Sequence, residues 1–260
     1  MGDLATLHRR LDELDQVVVA FSGGADSAFL AWTAHQALGP ERVLAVTAVS
    51  PSLAGFERDD CVALAQEWDL SWLAVETDEL ADAAYRANDT DRCAHCKTAL
   101  MDVLAPLAAS RGATVVLGVN LDDLGDHRPG QAVAAERGAA FPLVEAGFTK
   151  ADIRQASRQL GLRTWDKPAA ACLASRLPYG TPVSLGVLQE VERAETGLRR
   201  LGFVELRVRH YGELARIEVP LDQLEEVVAR RQEVVAALRS AGYCYVTLDL
   251  EGLRSGNLNR

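Results

Sequence analysis

A doubly wound α/β sheet followed by a smaller α+β unit is the architecture this sequence predicts. Three observations carry that reading. Short apolar, β-branched runs alternate with amphipathic helical stretches through the first two thirds of the chain. A glycine pair, Gly23-Gly24, falls between the first such run and the first strongly apolar helix. After a proline-rich break the order changes to helix, hairpin, helix and strand. Runs buried on both faces, each followed by a helix, indicate a parallel sheet covered on both sides.

The elements follow in order. Residues 17–21 (VVVAF) form the first strand and lead into SGGADS, with a helix pattern running to Leu38 before the Gly39-Pro40 break. Residues 43–49 and 70–75 are the next strands, with a helix over about 55–68 between them. A helix over about 97–110 and a strand at 113–118 complete a run of four strands with three intervening helices. A helix covers 150–160, capped by Thr149 and stopped by Gly161. Pro168, Pro178 and Pro182 then interrupt regular structure, so the boundary falls here: residues 1–167 form the first domain and 168–260 the second. In the second, 184–201 and 221–240 read as helices, 203–209 and 214–219 as a hairpin about Tyr211-Gly212, and 243–249 as a strand.

The bulk composition narrows the function classes. A chain of 260 residues with 48% hydrophobic residues can build a substantial core. No apolar run approaches the roughly 18 residues of a membrane helix, and the first residues, MGDLATLHRRLDELDQ, lack a signal-peptide centre. The expected location is the cytoplasm. A net charge of −10 argues against nucleic acid as the main partner, because a phosphate-neutralising surface is basic. Five cysteines, an odd number, do not suggest a disulfide framework. Cys61 and Cys244 read as core cysteines; Cys93, Cys96 and Cys172 do not.

The loop Ser22-Gly23-Gly24-Ala25-Asp26-Ser27 carries the first chemical signal. Adjacent glycines let backbone N–H groups approach a polyphosphate, and the following helix N-terminus attracts anions. Ser22 and Ser27 add hydroxyl donors. Asp26 suits such a site only with Mg²⁺ between it and the phosphates. The loop lacks the Gly-Lys-Ser/Thr of a Walker A motif and the G-x-G-x-x-G of a dinucleotide site. It resembles that of the PP-loop ATP pyrophosphatases, which implies a PP-loop/HUP-like sheet and cleavage of ATP between the α- and β-phosphates.

Three further stretches narrow the resemblance: Asp91-Arg92-Cys93-Ala94-His95-Cys96-Lys97, residues 118–130 (GVNLDDLGDHRPG), and residues 167–176 (KPAAACLASR). With SGGADS, and with RVRHYGELARIEVP and EGLRSGNLNR near the C-terminus, they resemble the LarE family over nearly the whole chain. Membership would imply an ATP-dependent sulfur transferase of nickel-pincer nucleotide synthesis. Its implied substrate is pyridinium-3,5-biscarboxylic acid mononucleotide, adenylated on a carboxylate and converted to the thiocarboxylate.

Two sulfur sources occur among such proteins. A cysteine at the position of Cys172 can give up its own sulfur, or three cysteines can hold a [4Fe-4S] cluster. The presence of Cys93, Cys96 and Cys172 favours the cluster, since three thiolates leave one site open. A zinc clip of Cys93 and Cys96 with His95 or His127, or a redox pair, competes with that reading; Cys172 alone could be a packing residue, but its place in a proline-bounded irregular loop favours chemistry.

The resemblance places Lys97 and Arg128 near substrate or nucleotide, though Lys97 could be a solvated helix charge. Asn120, Asp122 and Asp123 follow the fourth strand, at the sheet edge where ligands bind, with Mg²⁺ or ATP positioning as their role and helix capping as the alternative. Arg176 is expected to neutralise phosphate. Arg207 and Arg209 alternate along one strand and share a face suited to the substrate's phosphate, with hairpin salt bridges as the competing explanation. Glu195, Glu218, Arg254 and Ser255 match further family positions, with no role assigned.

The remaining expectations are a homo-oligomer through the small domain, a possible sulfide-donor protein, and no nucleic-acid or membrane partner. A tRNA thiolase, an ammonia-using synthetase and a non-catalytic nucleotide sensor are the rival readings. The first would need a basic tRNA surface, the second a source of ammonia, and the third no Asp26 and no cysteine set.

Overall fold

The structure is a computed structural model describing residues 2–125, 129–169 and 171–254. In chain order its main elements are α1 (Leu4–Leu14), β1 (Val17–Ala20), α2 (Ala25–Leu38), β2 (Val43–Val49), α3 (Gly55–Glu67), β3 (Trp72–Glu76), α4 (Ala83–Ala87), α5 (Arg92–Ser110), β4 (Thr114–Leu117), α6 (Pro129–Glu136), α7 (Pro142–Glu145), α8 (Lys150–Gln159), α9 (Leu185–Arg200), β5 (Arg207–Tyr211), β6 (Leu214–Glu218), α10 (Leu224–Ala229), α11 (Arg231–Ala241) and β7 (Tyr245–Leu248). The chain divides into two compact units. One comprises 1–50, 55–79 and 91–170; the other comprises 51–54, 80–90 and 171–260. The single cut expected after Lys167 therefore gives way to a division in which two short segments of the first half join the second unit.

The first unit is the α/β fold expected from the sequence. Its four strands are all parallel in the order β3-β2-β1-β4, with Val17 facing Val43 on one side and Thr114 on the other. Strand periodicity of two sorts their side chains. Val17 and Val19 pack with Leu7 and Leu11 of α1, Phe29 of α2, Leu64 of α3 and Ile153 of α8. Val18, with Leu44, Val46, Val115 and Leu117, packs with Met101, Leu104 and Ala108 of α5. Both faces are therefore apolar, as a parallel sheet requires. Each such side chain, fully buried, contributes about 1.5–3 kcal/mol.

Helix α2 is buried on nearly all sides from Ala28 through Ala34, with Trp32 half-buried, in keeping with the mostly apolar run over those residues. Thr149 and Asp152 form a reciprocal capping box on α8, and Gly161 follows that helix at φ +73°. Helix α5 starts at Arg92, five residues earlier than expected, so Cys93, Cys96 and Lys97 all lie in its first turns.

In the second unit β5 and β6 pair antiparallel and β7 joins β6 in parallel, giving the order β5-β6-β7. Its core sets Val208, Ala215 and Ile217 against Leu198 of α9 and Leu238 of α11. Two expectations are corrected here. The hairpin strand starts at Arg207 rather than 203, because Gly202 (φ +96°) turns the chain and Phe203 packs into the core beyond the helix end. The helix expected over 221–240 is broken at Arg230 (φ −98°, ψ 22°) into α10 and α11. No helix among the described residues is long and apolar enough to cross a membrane.

Candidate nucleotide site and the buried arginine network

Strand β1 hands the chain to Ser22–Gly24 at the carboxyl end of the sheet, and α2 begins at Ala25. The loop holds its own shape. The Ser22 N–H donates to Ser27 Oγ at 3.2 Å, the two hydroxyls lie 3.0 Å apart, and Ser27 Oγ donates to the Gly24 carbonyl at 3.2 Å. Ser27 thus clasps the loop, while Ser22 stays exposed.

Gly23 is required twice over. Its φ is +67°, and a Cβ there would stand 2.9 Å from the buried Cys61 Sγ. Burial pushes the Cys61 thiol up to about 11, so it is an inert packing group, as expected. Gly118, just after β4, is required as well: a Cβ would meet Ser27 N at 2.8 Å, so only glycine lets β4 approach the first turn of α2.

Asp26 projects from that first turn. Its Oδ1 is buried and has no hydrogen-bond partner among the described residues. Burial raises its pKa above the ordinary carboxylate value; Asp123 adds to the shift, while Lys150, Arg154 and Asn120 oppose it. Asn120 is fully buried, and its side chain is the hydrogen-bonding neighbour that favours the ionised Asp26 carboxylate. Its Oδ1 accepts from the N–H groups of Asp122 (3.0 Å) and Asp123 (3.3 Å), and its own N–H donates to Asp123 Oδ2. Asp122 accepts from the Lys150 N–H at 2.8 Å, capping α8. A buried polar atom without a partner carries a desolvation cost that a ligand removes.

These residues fit Mg²⁺ and a polyphosphate. A carboxylate oxygen awaits a hard cation, the N-terminus of α2 offers N–H groups, and Lys150 and Arg154 bring positive charge. Sequence reasoning missed Lys150 and Arg154. Their i, i+4 spacing at a capped helix start was the available signal, since it puts both on one face.

In the first turns of α5, Cys93 is exposed and Cys96 half-buried. Lys97 is half-buried, and a Cβ on Gly130 would stand 2.6 Å from its Cγ; α6 therefore begins hard against this turn. Asp91 and His95 form an i, i+4 pair at 3.5 Å. Arg128, His127 and Ser255 lie outside the described residues. Cys93 and Cys96 belong to the first unit and Cys172 to the second. Among the described residues no three His, Cys, Asp or Glu side chains are gathered to hold a metal ion.

In the second unit, Cys172 precedes a single 3₁₀ turn, Leu173–Arg176, and is half-buried. Arg176 is corrected from a phosphate ligand to a structural anchor. It is 2% exposed and pairs bidentately with Glu195 at 2.8 and 2.9 Å. Its remaining nitrogen donates to the carbonyls of Ala171 (2.6 Å) and Cys172 (3.0 Å). Glu195 also accepts from the Val208 N–H.

Arg209 donates twice to Glu218, which is fully buried, and once to the Ser175 carbonyl at 2.9 Å. Arg216 completes the Glu218 pair at 3.0 Å. The Arg209–Glu218 bridge is buried, unlike the exposed hairpin pairs weighed from the sequence, and Arg216 is half-buried. Arg207 shares the Arg209 face of β5, and burial, with Arg176 and Arg209 beside it, brings its guanidinium down to about 10. Arg254 pairs with Glu251 at the surface. Cys244 is corrected as well: it is exposed, with Tyr243 taking the core position beside it.

A parallel sheet whose central strand delivers S-G-G-x-D-S into a buried helix start defines an ATP-using enzyme of the PP-loop class. In keeping with this, a family model described as NAD synthase matches residues 7–102. The chain is 46% identical over 260 residues to an uncharacterized protein of Synechocystis sp., covering 99% of this chain and 97% of that one. It is 38% identical over 256 residues to the pyridinium-3,5-bisthiocarboxylic acid mononucleotide synthase of Lactiplantibacillus plantarum, covering 98% of this chain and 93% of the relative. An uncharacterized protein of Methanocaldococcus jannaschii is 25% identical over 241 residues. The chain belongs to the LarE family, that of the pyridinium-3,5-bisthiocarboxylic acid mononucleotide synthase.

Proposed function

We propose that this protein is an ATP-dependent sulfur transferase that converts pyridinium-3,5-biscarboxylic acid mononucleotide to its bisthiocarboxylic form in nickel-pincer nucleotide synthesis. The observation that carries the ATP half of this reading is the Asp26 carboxylate at the first turn of α2, its Oδ1 buried beside Asn120 and the glycine loop. The full-length likeness to the named relative supports the substrate.

A carboxylate is a poor electrophile until one oxygen becomes a leaving group. Its oxygen attacks the α-phosphorus of ATP, pyrophosphate departs, and a sulfur nucleophile then displaces AMP. Mg²⁺, held by Asp26, would neutralise the charge of the leaving pyrophosphate. The N-terminal N–H groups of α2 orient the polyphosphate, with Lys150 and Arg154 adding positive charge. Asn120 and Asp123 position Asp26; Ser22 and Ser27 fix the loop. Arg207, on its buried strand face, serves the substrate's phosphate, and Lys97 and Arg128 serve substrate or nucleotide.

For sulfur delivery the proposal assigns Cys93, Cys96 and Cys172, with a [4Fe-4S] cluster as the finer form. Three thiolates leave one cluster site open for a further ligand. The described residues present no gathered ligand set of three or more His, Cys, Asp or Glu side chains. Self-association through the second unit and a sulfide-donor protein complete the proposal.

The test is incubation with ATP, Mg²⁺, the dicarboxylate nucleotide and sulfide. The expected outcome is pyrophosphate release dependent on the dicarboxylate, with sulfur-for-oxygen exchange seen by mass spectrometry. ATP binding without substrate-dependent pyrophosphate release overturns the reading. Iron analysis after anaerobic purification, with the mass of Cys172 after turnover, separates a cluster from loss of the cysteine's own sulfur.

A further inference from the structure

Lys167 lies 144 residues from Gly23 in sequence, yet its Nζ donates to the Gly23 carbonyl at 3.0 Å. The same ammonium donates to Glu57 Oε2 at 2.7 Å and Asp60 Oδ2 at 2.6 Å, both on α3. An ammonium has three N–H donors, and all three are engaged. The three side chains are largely buried, at 17%, 10% and 23% exposure. Burial opposes the charge on Lys167, and the bonds to Asp60 and Glu57 outweigh it, so the lysine stays protonated. Its backbone is fixed too, since the Lys167 N–H donates to Thr164 and its carbonyl accepts from Arg154, one of the two cations facing Asp26.

A carbonyl in a phosphate loop is a hazard. The peptide joining Gly23 to Gly24 can present either its oxygen or its N–H to an anion, and glycines permit the flip between the two. An oxygen facing a triphosphate repels it; an N–H attracts it. We infer that Lys167 is a positioning residue for the ATP site: by holding the Gly23 carbonyl toward α3, it keeps the N–H side of the Gly23–Gly24 peptide turned to the nucleotide. Glu57 and Asp60 hold the lysine in place and balance its charge. The inference rests on the ATP-binding reading above and adds to it a residue that does not touch the nucleotide.

The experiment measures binding of Mg²⁺·ATP by calorimetry, with thermal melting alongside. It compares wild type, Lys167→Met, and the charge-balanced Lys167→Met/Glu57→Gln, in which Asp60 keeps its ion pair with Arg163. Lys167→Met takes the lysine partner from the buried Glu57 carboxylate and melts lower, while Asp60 keeps Arg163 at 2.7 Å. The charge-balanced variant is expected to recover the melting temperature yet bind ATP about tenfold more weakly, the loss expected for one charged hydrogen bond. Lys167→Arg, which can still reach a carbonyl, is expected to recover most of the affinity. A charge-balanced variant that recovers melting and affinity together overturns the assignment and leaves Lys167 a structural ion pair. Wild-type protein without ATP affinity overturns the ATP reading itself, and this inference with it.

Discussion

Two buried sites, one in each unit, treat charge in opposite ways. In the second, Glu195 and Glu218 are each met by guanidinium groups, and every nitrogen of Arg176 has an acceptor. In the first, Asp26 keeps a buried oxygen with no charged partner, beside the buried Asn120 amide. A fully paired charge organises structure; a buried charge left unpaired has its partner missing until a ligand arrives. Arg176, which the sequence alone offers as a phosphate ligand, is thereby an anchor for the Cys172 turn, and Asp26 is the proposed site for the cation.

The largest effects test that contrast directly. Asp26→Ala is expected to abolish thiocarboxylate formation while leaving the melting temperature unchanged or higher, since the desolvation cost of the carboxylate disappears with it. A variant with full activity removes Asp26 from the site. Cys172→Ala is expected to abolish the thiocarboxylate too, but to retain dicarboxylate-dependent pyrophosphate release, because sulfur enters after adenylation. Loss of both together would place Cys172 in the nucleotide step.

Next in size is Glu195→Ala. It strands the buried Arg176 charge and is expected to destabilise the protein by about 3–5 kcal/mol in urea unfolding. A change below about 1 kcal/mol would mean that the pair is not buried as described. Gly23→Ala follows. Its positive φ alone costs about 1–2 kcal/mol, and the approach to Cys61 Sγ adds to that; chemical denaturation measures the sum, and unchanged stability would contradict the loop geometry.

The smallest effect is a pH dependence. The folded Asp26 pKa is raised, so between the ordinary carboxylate value and the raised one the folded state holds more protons than the unfolded. Stability without ligand should therefore fall as pH rises through that window, and Asp26→Asn should flatten the slope. Mg²⁺ binding should run the other way, strengthening over the same range as the carboxylate ionises. A slope unchanged in the Asn variant assigns it to another group.

What the sequence determined by itself was local. Alternating apolar runs required a sheet buried on both faces, and the glycine pair at a strand–helix junction placed the phosphate loop, because period and backbone freedom act over a few neighbouring residues. The Thr149 cap and the Gly161 stop were legible for the same reason. Which charges pair was decided only by the tertiary structure. Lys167 reaches Gly23 across 144 residues and Arg176 reaches Glu195 across 19. In sequence, an arginine bound to a glutamate looks no different from one awaiting phosphate. Burial and the distance to an opposite charge set the difference, and both arise only once the chain has folded.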